Sequence, residues 1–193
     1  MLTDLKTALR PAIALTIAFA LLLGLAYPLA LTGIGQVLFT SQANGSLITE
    51  KGKVIGSELI GQSFATDRYF HGRPSAAGKG YDASVSSGSN LGPTSQALAD
   101  RVKADVAANP PSPGKLVPAD LVTTSASGLD PDLSPEAAFY QVDRVARARG
   151  LAPDAVRALV EAQTDHPLLG VLGEPRVNVL ALNRALDRAT AHP

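Results

Sequence analysis

The stretch His71–Asp82, HGRPSAAGKGYD, carries the residue types of a phosphate-gripping loop: glycines, small residues and one lysine. A P-loop sets two glycines four residues apart, follows them with lysine and a hydroxyl residue, and lies between a strand and a helix. Here five residues separate Gly72 from Gly78, and Gly80 follows Lys79, so no hydroxyl is offered to magnesium. The preceding ATDRYF is not an apolar strand. Ser112–Lys115 (SPGK) has the Ser-x-x-Lys spacing of penicillin-recognising enzymes. Pro113 and Gly114 forbid the helical turn that would bring that lysine over the serine.

Three histidines, His71, His166 and His192, show no mutual metal-ligand spacing. His71 lies near Asp67, Arg68 and Arg73, and a triad would need a serine and a carboxylate from elsewhere. The absence of cysteine excludes disulfides, zinc–thiolate sites and thiol catalysis. Gln141, in AFYQVDR, falls on another side of its helix from Val142 and Val145 and reads as a surface residue. Arg144, Arg147 and Arg149 read as a solvated face. The residues themselves thus supply no catalytic centre and no metal site. The 17 basic and 17 acidic residues balance, which argues against a nucleic-acid partner.

The elements that would position these groups begin with an anchor. No charged residue occurs from Pro11 to Thr49, and residues 11–31 are almost wholly apolar. About 20 such residues cross a bilayer core. The run is longer than a signal-peptide core and lacks a small-x-small exit, so it is expected to be retained. Lys6 and Arg10 precede it and no basic residue follows until Lys51, which puts the N-terminus in the cytoplasm. The expected organisation is a cytoplasmic head (1–10), a transmembrane helix with its exit segment (11–38) and a periplasmic domain (39–193). Pro28 is expected to kink or end the span. Ala14, Ala18, Ala20 and Gly24 provide small-xxx-small spacings that admit close approach of another helix.

Beyond the span, Leu47, Ile48, Val54 and Ile55 flank Lys-Gly-Lys as a hairpin. Residues 86–95, SSGSNLGPTS, form a loop. Leu98, Val102 and Val106 mark a helix, and NPPSPGKLVP (109–118) breaks regular structure. Ser134 and Pro135 open a helix that Gly150 closes, with Ala138, Val142, Val145 and Arg149 on one face. Another helix starts at Pro153, with Leu151 and Val156 as a staple and Val156, Leu159 and Val160 buried. After a loop, DHPLLGVLGEPRVN, Asn178 caps a last helix carrying Val179, Leu182 and Leu186. The fold class is therefore one N-terminal transmembrane α-helix plus one α+β extracytoplasmic domain, with a small sheet early and about four helices.

Five segments, in order, then carry a resemblance: GSELIGQSF (56–64), YFHGRPSA (69–76), SGSNLGPTS (87–95), residues 117–150 and VNVLALNRALD (177–187). Together they resemble the C subunit of the high-affinity potassium-transporting P-type ATPase, the Kdp system, over essentially the whole chain. The resemblance implies a subunit of a potassium-uptake complex in the bacterial inner membrane. Its implied partners are a pore-forming potassium subunit and an ATP-hydrolysing subunit, and a very small fourth subunit is allowed for. Lipid surrounds the span, and no cofactor is held covalently. The family role is assembly or stabilisation, together with raising the ATP affinity of the hydrolysing subunit.

The resemblance also links a glutamine matching Gln141 to nucleotide binding. It likens SGSNLG to an ATP-binding-cassette signature, whose glycine pair Ser89 breaks and whose glutamine is here Asn90. An external domain conflicts with direct contact to cytosolic ATP, so any influence is expected to travel through the span. Glu58, Asp67 and Asp82 are candidates for concentrating cations at the pore mouth. The rival readings are a membrane-anchored periplasmic binding module unrelated to transport, and an anchored hydrolase.

Overall fold

The computed structural model describes residues 2–110, 115–167 and 169–190. The chain forms two compact units, Met1–Leu47 and Ile48–Pro193. The first is dominated by a helix in three parts: α1 (Leu2–Leu21), a π turn (Leu22–Ala26) and α2 (Tyr27–Leu38). Its stretch Lys6–Leu38, 33 residues that include an 18-residue window of mean hydropathy 2.2, is long and apolar enough to cross a membrane. At about 1.5 Å per residue it spans roughly 50 Å, beyond the ~30 Å of a bilayer core.

Pro28 does not end this helix. A proline ring presses on the carbonyl four residues back and offers no N–H. The π turn lies at that carbonyl, and the Tyr27 N–H reaches back to Leu22 O, five residues away. Widening the turn lets the chain pass the ring and continue to Leu38. A short α3 (Thr40–Ala43) follows, with Asn44 Nδ2 donating to Thr40 O at 2.7 Å and to Gln36 Oε1 at 3.0 Å.

The second unit opens with the expected hairpin, β1 (Leu47–Glu50) and β2 (Lys53–Ser57). Lys51 (φ 50°) and Gly52 (φ 77°) both take left-handed backbone, as a two-residue hairpin turn requires. Arg184 Nε donates to Glu50 Oε1 at 2.8 Å, tying this hairpin to the last helix. The four helices are α4 (Gln96–Ala108), α5 (Pro135–Arg149), α6 (Pro153–Ala162) and α7 (Val179–Thr190). The Ser134 hydroxyl accepts from the Ala137 N–H at α5's start, and Gly150 (φ 69°) closes it. Asn178 Oδ1 accepts from the Ala181 N–H in the first turn of α7.

The early hairpin is not the whole sheet content. β3 (Asp132–Leu133), β4 (Thr164–Asp165) and β5 (Arg176–Asn178) form a second, antiparallel sheet of order β3-β5-β4. β5 lies within the segment 165–178 that reads as loop, and β4 runs into its first residue. Strands of two or three residues leave no alternation long enough to see, and only Val177 among β5's residues is buried. The core gathers Phe70, Leu133, Val142, Val145, Val156, Val160, Val177, Leu182 and Leu186, all at most 2% exposed. The α4 stripe Leu98, Val102 and Val106 is only half-buried. Residues 111–114, with Ser112, and His192 lie outside the described residues.

Candidate functional site

The segment Thr66–Arg73, a turn at 66–69 that runs on without regular structure, carries a dense polar network. Among the described residues no strand neighbours it, yet its backbone is paired at Phe70 and His71. Asn183, on α7, accepts from the Phe70 N–H at 2.8 Å and donates to Phe70 O at 3.0 Å. Gln141, on α5, does the same one residue on: it accepts from the His71 N–H at 2.8 Å and donates to His71 O at 3.0 Å. Both carboxamides are 1% exposed, and Phe70 is fully buried. Each amide substitutes for a strand neighbour, because a carboxamide offers the same donor and acceptor as a peptide group. Buried backbone groups must be paired, so these two side chains hold the segment in register.

Gln141 is therefore buried, not a surface residue. Its Nε2 also donates to Ala137 O at 3.3 Å, and its Oε1 receives Arg144 Nη2 at 2.6 Å. The amide's hydrogen-bonding capacity is spent within the chain. The helical positions explain the location. Ala138, Gln141 and Val145 follow i, i+3, i+7 spacing, which is one helical face. Asn183 likewise sits among Val179, Leu182 and Leu186. A carboxamide on an apolar stripe is the sequence signal for this site, and Asn183 was missed because that stripe reads as core alone.

Arginines finish the network, and two of the three expected to be solvated are held instead. Arg144 donates to Asp67 O at 2.9 Å and to Tyr69 O at 3.1 Å, and pairs with the Asp67 carboxylate at 3.5 Å. The Arg149 side chain is 2% exposed and lies 2.7 Å from Asp187. It stacks 4.7 Å from the Tyr69 ring centroid and donates to Arg68 O at 2.7 Å. Arg147 stays exposed. The His71 Nε2 is 3.0 Å from Thr66 O and 3.5 Å from Arg144 Nη1. Burial holds the imidazole below its ordinary proton affinity, and the Arg144 charge lowers it further.

The glycine-rich stretch continues from this segment and is organised around its own hydroxyl. Ser75 Oγ donates to Gly128 O at 2.6 Å and accepts from the Tyr81 N–H at 2.8 Å. Arg73 Nη1 meets Asp130 at 3.0 Å. Lys79 points to solvent. These bonds fold the stretch against residues 123–130 and leave no ring of N–H groups around an anion.

The remaining candidates are not brought together. Glu58 is exposed, Asp67 is engaged by Arg144, and Asp82 accepts from the Ser84 N–H and hydroxyl. Bonding to Ser84 holds the Asp82 carboxyl below its usual range. His166 is exposed. Among the described residues no group of three or more His, Asp or Glu is placed to hold a metal. Beside Gln141 a cleft of about 390 Å³ is lined by Asn109, Lys115, Tyr140, Asp143, Arg144 and Arg147. Lys115 lies 3.7 Å from Asp143 and Arg144 lies 3.5 Å from Asp67, while Arg147 on the same cleft is exposed. Such an arrangement can fix a backbone and present a shaped, polar surface.

Comparison with known proteins gives one consistent relationship. The family described as KdpC, K+-transporting ATPase, c chain, matches residues 9–188. A protein of Caulobacter vibrioides named potassium-transporting ATPase KdpC subunit is 62% identical over 181 residues, covering 93% of this chain and 92% of that one. A protein of the same name from Bradyrhizobium diazoefficiens is 59% identical over 196 residues, covering 95% and 98%. Another from Methylobacterium nodulans is 59% identical over 192 residues, covering 93% and 96%.

Proposed function

The chain belongs to the KdpC family, the c chain of K+-transporting ATPases, and from that premise we propose that it is a non-catalytic, single-span subunit. It assembles and stabilises a bacterial inner-membrane potassium pump alongside a pore-forming subunit and an ATP-hydrolysing subunit, with room for a very small fourth one. The helix Lys6–Leu38 crosses the bilayer with its N-terminus in the cytoplasm, and residues 39–193 lie on the periplasmic side. Potassium is the complex's cargo. A binding module unrelated to transport does not fit this family.

One observation supports a mechanical role above others: the groups with chemical potential are bonded to this chain's own backbone. Gln141 has no unspent donor or acceptor with which to meet a nucleotide. Its link to ATP affinity then runs through the segment it holds. A well-fixed domain that contacts partner helices differently in two states of the pump shifts ATP affinity by that difference.

The test is ATP kinetics of the purified complex carrying Gln141→Ala or Asn183→Ala. The indirect route predicts that both variants raise KM for ATP by similar factors, with smaller change in kcat. A rise with Gln141→Ala alone would show that this side chain meets the nucleotide itself. No change with either would remove the ATP-affinity role and leave assembly.

A further inference from the structure

The π turn at Leu22–Ala26 leaves a hydrogen-bonding debt inside an apolar helix. The Tyr27 N–H is taken by Leu22 O, five residues back. The next residue, Pro28, has no N–H. The carbonyl it would have served is Leu23's in π register or Gly24's in α register, and one of them has no donor from Pro28 in either case.

The chain offers nothing else at that depth. From Ala18 to Leu31 there is no serine, threonine, asparagine or glutamine, and the Tyr27 hydroxyl lies at the far end of its ring. Hydrocarbon offers no donor either, and an unpaired carbonyl there is costly. Gly24 has no Cβ, and apart from its chain neighbours and its own helix backbone nothing of this chain lies within 4 Å of where one would stand. The backbone is therefore open to close approach at the point where an acceptor is exposed. Leu22 to Ala26 also lie in the middle of Lys6–Leu38, far from either interface.

We propose that this turn is a docking point for a transmembrane helix of a partner subunit, which crosses at Gly24 and donates a side-chain hydroxyl or amide hydrogen to the Leu23 or Gly24 carbonyl. The proposal rests on the reading that Lys6–Leu38 spans the bilayer. Its occupant follows from complementarity: the site lacks one donor, and a small residue admits a neighbouring helix. Proline here is a device for exposing an acceptor.

The test uses the tagged full chain co-expressed with its partner subunits. Pro28→Ala restores an N–H and straightens the turn, and Gly24→Leu blocks approach. Gly33→Leu, nine residues on, serves as the distal control. Partner recovery in mild detergent is read as a ratio to the tagged chain. An interhelical hydrogen bond of ordinary membrane strength predicts a loss of about three- to tenfold for Pro28→Ala, and at least as much for Gly24→Leu, with Gly33→Leu near wild type. A photoreactive leucine analogue at position 23 should join a partner segment containing Ser, Thr, Asn or Gln. Wild-type recovery with Pro28→Ala, or adducts to lipid alone at position 23, would overturn the docking point. Alkaline extraction of the chain from membranes would instead overturn the spanning reading on which it stands.

Discussion

Replacing Asn183 by leucine should unfasten the Thr66–Arg73 segment while keeping the side chain's size. Asn183 is 1% exposed and Phe70 is fully buried, so water does not replace the lost partner. The Phe70 N–H and C=O, now bonded at 2.8 and 3.0 Å, would both be orphaned. Each buried orphan costs about 1–3 kcal/mol, so the pair costs roughly 2–6 kcal/mol. Domains of this size have about 5–15 kcal/mol in total, which makes the change a large fraction of stability.

Urea unfolding of the full chain in micelles, followed by far-UV circular dichroism, would read it. With a slope of about 2 kcal/mol per molar urea, the midpoint should fall by roughly 1–3 M. Asn183→Asp separates shape from hydrogen bonding. A carboxylate accepts from the Phe70 N–H but cannot donate to Phe70 O, whereas the protonated acid does both. The buried acid's pKa would be raised above its unfolded value. Its contribution would be full below the unfolded pKa of about 3.9 and lost as pH rises through the folded one. Asn183→Leu unfolding within about 1 kcal/mol of wild type would refute the pairing as a source of stability.

Three further outcomes are expected. The imidazole of His71 has a lowered pKa, so the neutral ring's contribution is full above its unfolded value near 6.5 and falls as pH drops below it; His71→Asn should flatten the stability profile between about pH 5 and 7, and an unchanged profile would remove His71 as its source. A Cβ at Gly61 would clash with Asp130 O, backbone that cannot swing aside. Gly61→Ala should therefore destabilise by about 1–3 kcal/mol, seen as a lower melting temperature, and wild-type melting would contradict it. Because the chain has no cysteine, Lys79→Cys would be a single reporter of sidedness; a membrane-impermeant maleimide should label it in intact spheroplasts, and labelling only after lysis would reverse the proposed orientation.

The helices were legible because their signals are local. Ser134–Pro135 and Gly150 bound α5, and Asn178 caps α7, each through contacts within a few residues. The hairpin turn at Lys51–Gly52 was legible for the same reason. The second sheet was not, since β3, β4 and β5 contribute two or three residues each, and β3 pairs with β5 from more than 40 positions away in the chain. The site was half legible. Gln141 was singled out, but its burial depends on His71, 70 residues away, and no local pattern announces that. Arg149 looked solvated because charge usually is, yet Tyr69 and Asp187 cover it from distant segments. Proline in sequence signals a kink or a helix end, whereas the widened turn before Pro28 absorbs it.

The two carboxamides grip peptide groups, and a peptide group is the same whatever side chain it bears. The grip at Phe70 and His71 is thus blind to identity at the gripped positions and demanding at the gripping ones. Mutational tolerance should be lopsided across the contact at His71. Position 71 can exchange its ring for another polar side chain and keep both bonds to Gln141. Position 141 cannot trade even for glutamate without losing a donor. A saturation library would register this as a permissive position 71 lying against an intolerant position 141, while position 70 stays intolerant because its ring fills the core.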